Sequence, residues 1–193
     1  MAHYRGLSRW EAVGCVAAGV TAALASYFLM TPANALFAGY LLFAALAITI
    51  VDFRNFIIPD GLSLPAIALG VVASFISVDV DLRSTAITSS LIGAAVGGCS
   101  FYLIRLSYRR LRGFEGLGMG DVKLAAAAGA WAGIEGLPLV LFMATAAAVS
   151  AVVVKHVIGG KEGITRTTPV PFGSFLAPSL WLVWWYQQLI VAG

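Results

Sequence analysis

Runs of about 20 apolar residues, with hardly a charge inside them, follow one another along almost the whole of this chain. A helix rises ~1.5 Å per residue and needs ~20 residues to cross the ~30 Å hydrocarbon core of a bilayer. The run length is therefore that of a membrane span. Composition agrees, since 60% of the 193 residues are hydrophobic and 11% are charged, against about 25% charged in a soluble domain. A water-soluble fold of this size cannot hide so much apolar surface. Lipid is the solvent, and each span must be helical, because unpaired backbone groups are too costly in hydrocarbon.

Seven apolar segments are read, at approximately 10–30, 33–52, 61–78, 85–107, 121–135, 137–158 and 171–191. Pro32, Pro59 and Pro138 mark boundaries, since proline lacks the amide hydrogen and clashes with the preceding turn. Gly136-Leu137-Pro138 is expected to form the tight turn between the fifth and sixth segments. Eleven of the twelve Lys and Arg then fall on one side of the membrane. They flank the first span (Arg5, Arg9), end the second (Arg54), and border the fourth and fifth (Arg105, Arg109, Arg110, Arg112, Lys123) and the sixth and seventh (Lys155, Lys161, Arg166). Only Arg83 lies opposite, beside Asp79 and Asp81. The excess of positive charge makes the crowded side cytoplasmic. The expectation is one all-α domain over 1–193, a polytopic helix bundle with its N-terminus in the cytoplasm and its C-terminus outside. Ala23-Leu24-Ala25 has the look of a signal-peptidase site, but the apolar run goes on to Met30 and so has the length of a full span.

Few other residues invite chemistry. Cys15 and Cys99 lie singly in apolar runs and read as small buried hydrophobes. His3 and His156 have no partner at ligand spacing, so no metal and no cofactor are expected. Gly93 and Gly97, like Gly129 and Gly133, are four apart, a spacing that lets helix backbones approach closely. Trp181, Trp184, Trp185 and Tyr186 read as an aromatic belt at the outer interface. Glu11 is expected to snorkel or to pair with Arg9.

Carboxylates at the edge of a span are expensive and need a reason. Asp52 ends the second segment, Asp60 follows Pro59 at the start of the third, and Asp121 opens the fifth. By the topology above, all three lie near the cytoplasmic boundary. Two converging carboxyls can share one proton, the neutral one donating while the ionised one takes a proton from water. This is the chemistry by which aspartic proteases hydrolyse peptides without a metal or a covalent intermediate. Asp52 lies on a continuous helical pattern and Asp60 beyond a proline break. A rigid element holds reactive geometry better than a loop, so Asp52 is expected to pair with Asp121, and Asp60 to cap the third helix. Gly116, Gly118 and Gly120 alternate ahead of Asp121. They allow the backbone to approach an extended substrate or to bend Asp121 toward the other helix.

The stretch Gly113-Phe114-Glu115-Gly116-Leu117-Gly118-Met119-Gly120-Asp121-Val122-Lys123-Leu124 resembles the Gly-x-Gly-Asp block of the bacterial prepilin peptidases. Asp52-Phe53-Arg54-Asn55-Phe56-Ile57-Ile58-Pro59-Asp60 is similar to that family's D-x-x-x-x-x-[IL]-P-D. Pro171-Phe172-Gly173-Ser174-Phe175-Leu176-Ala177 is similar to its P-F-G-P-x-L-A, with Ser174 where proline is usual. The resemblance implies a membrane aspartyl endopeptidase of the bacterial inner membrane, with Asp52 and Asp121 as the catalytic pair. It implies that the short basic leaders of type IV prepilins or pseudopilins are cut on the cytoplasmic side. Gly118, Gly120, Lys123, Asp60 and Glu115 become candidates for substrate binding or support. Lys123 either tunes the aspartate or anchors the helix start, and Glu115 meets either the basic leader or the neighbouring arginines. The expected partners are such substrates and the lipid bilayer, with no nucleic acid. Many members carry a cytoplasmic domain with paired cysteines and also methylate the new N-terminus. The loop Thr31-Pro32-Ala33-Asn34 leaves no room for it, so a short form that cleaves without methylating is expected. The competing functions are an ion- or proton-coupled transporter, which needs polar groups at mid-membrane, and an inactive pilus-assembly scaffold.

Overall fold

A capping box starts the first helix, α1 (Arg9–Tyr27). The Ser8 hydroxyl accepts from the Glu11 amide, and the Glu11 carboxylate accepts from the Ser8 amide at 2.9 Å, which satisfies two otherwise orphaned donors. Thr31 caps α2 (Pro32–Asn55), with Pro32 in the first turn, where a missing amide hydrogen costs nothing. Next come α3 (Asp60–Ile76), a short 3-10 turn at Val80–Leu82, α4 (Arg83–Arg112), α5 (Met119–Gly159) and α6 (Gly173–Ala192). This computed structural model describes residues 6–77, 80–113, 116–159 and 170–192. Every regular element among them is helical. Four stretches, Arg9–Tyr27, Pro32–Asn55, Val80–Arg112 and Met119–Ile158, are long and apolar enough to cross a membrane.

Helix lengths tell what each element can do in a bilayer. The 30 residues of α4 extend ~45 Å, about 15 Å beyond the hydrocarbon. The surplus falls at the C-terminal end, among Arg105, Arg109, Arg110 and Arg112. The 41 residues of α5 would reach ~62 Å if straight, twice the core thickness. The helix breaks at Gly133, whose φ of 69° and ψ of 176° are open to glycine and strained for other residues. The expected turn at Gly136-Leu137-Pro138 is therefore three residues too late, and Pro138 sits within the second limb. Ser89 of α4 seals the break: its hydroxyl accepts from the freed Ile134 amide at 3.2 Å and donates to Glu135. Beyond it, Leu137, Val140, Ala144 and Ala148 are buried along one face. The first three join the cluster that holds Leu176 and Leu180 of α6, so the second limb returns to the bundle.

Small residues bring the helices together. Gly93 lies against Gly129 and Gly133, and Gly97 against Ala125, so closely that a Cβ on any of Gly93, Gly97 or Gly129 would overlap opposing backbone. Gly19 and Gly39 do the same for α1 and α2. Lipid supplies no hydrophobic drive between helices, so contact of this kind is what binds them. The Ser90 hydroxyl adds a buried bond of 2.6 Å to the Ala130 carbonyl.

The tryptophans of α6 correct an expectation. Trp184 is buried, edge-on to Trp131 with ring centres 5.1 Å apart. Trp181 stacks on Trp185, and their indole N–H groups donate to the Ala38 carbonyl (3.1 Å) and the Ser26 hydroxyl (3.0 Å). Trp131 donates to the Ala66 carbonyl at 2.7 Å. Positions 181, 184 and 185 lie on one helical stripe facing the bundle, where each interhelical hydrogen bond contributes about 1 kcal/mol. Only Tyr186 of that group is exposed.

Candidate active site

The end of α2 is fixed before any chemistry is considered. Phe56 takes a left-handed conformation (φ 53°) as its C-cap, and its amide donates to the Asp52 carbonyl at 2.8 Å. Arg54 forms a forked ion pair with both carboxylate oxygens of Glu11. Glu11 therefore pairs with Arg54 across helices, rather than with Arg9 as the sequence suggested. Such a fork carries geometric definition that a single contact lacks. It anchors the turn that holds Asp52 to the start of α1.

Asp52 is 4% exposed. The amide of Ser174 donates to its Oδ2 at 2.8 Å and the Ser174 hydroxyl lies 3.2 Å from the same atom. Ser174 is the second residue of α6, so the carboxylate faces the amides at a helix N-terminus, a position that favours negative charge. Asp121 is the third residue of α5 and half-buried. Its Oδ2 accepts from the Gly118 amide at 3.2 Å, one half of a capping box. The two carboxyls come from helices distant in sequence, yet Asp121 lies within electrostatic reach of Asp52.

Beside them stands Ile58, the apolar position of the D-x-x-x-x-x-[IL]-P-D stretch, for which the sequence suggested no role at the site. Ile58 is 6% exposed, in the extended link between α2 and α3. A Cβ added to Gly120 would lie 2.7 Å from Ile58 Cβ, and one added to Gly173 would lie 2.6 Å from Ile58 Cδ1 and 3.0 Å from Asp52 Oδ2. The starts of α5 and α6 thus close on Ile58 only because both are glycine there. Gly116 makes similar room for the Tyr108 ring. Buried apolar Ile58 offered one signal, its place directly before Pro59 between two acidic positions.

The remaining candidates separate cleanly. Asp60 does not cap α3: the N-cap is Pro59, with no side-chain hydrogen bond. Its exposed carboxylate instead pairs with Lys123 Nζ at 2.6 Å. Lys123 is turned to Asp60, because two residues of helix rotate it ~200° away from Asp121. Gly118 and Gly120 are at the site, through the amide bond to Asp121 and the contact with Ile58. Glu115 lies outside the described residues, as do Arg5, Asp79, Lys161 and Arg166 of the charge count.

What the arrangement can do follows from its parts. It offers two carboxyls from different helices, one enclosed and one half-open, beside the glycine-bearing start of α5. Two carboxyls so placed can activate water against a polar bond.

Comparison with known proteins gives the arrangement a context. Residues 39–153 match the model of the type IV leader peptidase family. The prepilin leader peptidase/N-methyltransferase of Xanthomonas campestris pv. campestris is 36% identical over 144 residues, covering 74% of this chain and 47% of that protein. Leader peptidase HopD of Escherichia coli is 36% identical over 151 residues, covering 77% of this chain and 93% of HopD. The prepilin leader peptidase/N-methyltransferase of Escherichia coli K12 is 35% identical over 165 residues, covering 84% and 67%. The chain spans about half the length of most of the leader peptidase/N-methyltransferases it matches. No solved structure matches it.

Proposed function

Since the chain belongs to the type IV leader peptidase family, we propose that it is a membrane aspartyl endopeptidase that removes the short basic leader of type IV prepilins or pseudopilins. In this reading Asp52 and Asp121 hold one water between them. Ionised Asp52 takes a proton from the water as its oxygen attacks the scissile carbonyl carbon. Protonated Asp121 gives its proton to the carbonyl oxygen, forming a tetrahedral diol. The proton on Asp52 then passes to the leaving nitrogen, the C–N bond breaks, and Asp121 recovers its proton from the diol. One water and one peptide bond become a carboxylic acid and an amine, and the dyad ends as it began.

The observation that carries the proposal is the approach of Asp52, at the end of α2, and Asp121, at the start of α5, to one end of the bundle. Gly116, Gly118 and Gly120 would seat the substrate as an added strand. Counting the two limbs of α5 separately, the helices make seven segments in the inner membrane of a bacterium. The placement of Arg and Lys favours a cytoplasmic N-terminus and dyad, the side on which a leader awaiting removal would lie. A transporter would need polar groups at mid-span, and the segment centres are apolar.

Co-expression with a type IV prepilin that retains its leader tests the reading. The wild type should shorten the prepilin, and Asp52→Asn and Asp121→Asn should leave it uncut, since Asn keeps size and hydrogen bonding but cannot titrate. Asp60→Asn should still process it. Cleavage by either dyad variant ends the proposal.

A further inference from the structure

We infer that Ser174 is the residue that aims Asp52, through two donors converging on one carboxylate oxygen; this rests on the dyad reading above. The amide and the hydroxyl of Ser174 both meet Oδ2, at 2.8 and 3.2 Å. Both residues are buried, Ser174 at 6% exposure and Asp52 at 4%. The Gly173 amide is a further donor to this carboxylate, and donors gathered at one helix end hold it against rotation.

The hydroxyl has a second neighbour. It lies 3.2 Å from the Thr49 carbonyl, one helical turn before Asp52. It carries a single hydrogen and cannot donate to both. An ionised carboxylate is the stronger acceptor, so the hydroxyl turns to Asp52 while that group is charged. When Asp52 holds the proton taken from water, the hydroxyl turns to Thr49 and leaves the carboxyl to backbone amides. The serine thus follows the charge through the cycle without moving its backbone. Thr49 returns the contact, its hydroxyl lying 3.4 Å from the Ser174 carbonyl while bonded to Ala45 at 2.7 Å, so α2 and the start of α6 are clasped from both sides. Proline, usual at this place in the sequences this stretch resembles, would supply neither donor. These two donors to Asp52 therefore come with the serine, while the carbonyl that Thr49 meets would remain with proline.

The test uses the purified full chain in detergent, with a type IV prepilin as substrate. Ser174→Ala removes the hydroxyl and keeps the amide. Its kcat should fall about tenfold, the effect of one hydrogen bond to a charged group, with KM unchanged. Ser174→Thr should restore most of the rate. Ser174→Pro, which suits a first helical turn but lacks both donors, should fall at least as far as Ala. All three should melt near the wild type. Wild-type kcat in the alanine or the proline variant overturns the inference, and so does a parallel change in KM and melting temperature, which would mark Ser174 as packing only. Asp52→Asn in the same assay separates the two levels. If it is inactive while Ser174→Ala is normal, only the role of Ser174 falls. If it cleaves, the dyad reading falls and takes Ser174 with it.

Discussion

The two ends of this helix bundle use the same residue types for different purposes. At one end, Asp52 is buried, Asp121 is half-buried, and the glycines Gly120 and Gly173 leave room for Ile58 between them. At the other, Glu135 is exposed and takes the Ser89 hydroxyl, and Gly133 bends the chain back. A cavity of about 370 Å³ opens there, bordered by Ser74, Ser89, Glu135 and Gln187. A carboxylate that answers a local hydrogen bond at a chain reversal is structural. A carboxylate enclosed near another is costly to charge unless donors hold it, as the Ser174 amide and hydroxyl hold Asp52. That cavity is thus not where the chemistry is expected. Burial and convergence of the acids mark the reactive end better than volume does.

Neutralising acids at the two ends tests this contrast most severely. Asp52→Asn and Asp121→Asn should each lower prepilin cleavage about 10³-fold or more, the scale of lost general acid–base catalysis. Glu135→Gln should leave the rate within about twofold, as measured by the conversion of precursor to mature pilin on gels. A large loss with Glu135→Gln would mean that the far end takes part in turnover.

Glycine substitutions come next. Gly173→Ala would place a methyl 3.0 Å from Asp52 Oδ2 and against Ile58, and Gly120→Ala would press Ile58 from the other side. Displacing a carboxylate by about 1 Å should cost about 10²-fold in rate, with the fold retained. Gly133→Ala should act in the opposite sense. It forces a Cβ into a conformation that disfavours it, at about 1–3 kcal/mol, so the melting temperature in detergent should drop while the kcat of the folded fraction holds. If Gly133→Ala slows catalysis and spares stability, the division between the ends is wrong.

How much of this was legible in the sequence differs between the ends as well. Asp52 and Asp121 stood out because carboxylates closing apolar runs are rare and the alternation of spans put them on one side. Helix ends were read to within a few residues from Pro32, Pro59 and the run lengths. The bend at Gly133 was missed because glycine announces freedom, not conformation, and the nearby Gly136-Leu137-Pro138 carried the louder turn signal. The tryptophans of α6 were misread from their place near a terminus. Their spacing at 181, 184 and 185 already described a buried stripe. Ile58 and Ser174 act through the space and donors they present to helices far along the chain. Sequence spacing carries no record of such contacts.

The smallest expected effect lies in an ion pair two residues along α5 from Asp121. Lys123 and Asp60 form an ion pair of 2.6 Å, with the Asp60 side chain 62% exposed. An exposed pair contributes about 0–1 kcal/mol, because water and salt screen the attraction and two side chains must be ordered to form it. Lys123→Met and Asp60→Asn should therefore each change stability by less than about 1 kcal/mol. The double variant should be no worse than the sum of the two, as read by denaturation in detergent at low and at high salt. Catalysis separates tether from ligand. If the pair only ties α3 to α5, each variant should lower kcat by the same small factor, about threefold or less. If instead Asp60 meets the basic leader, Asp60→Asn should raise KM for a leader rich in Lys and Arg and leave KM unchanged for a leader stripped of them, while Lys123→Met, by freeing the Asp60 carboxylate, should lower KM. Opposite signs in the two variants would move Asp60 from the frame of the site into its substrate surface.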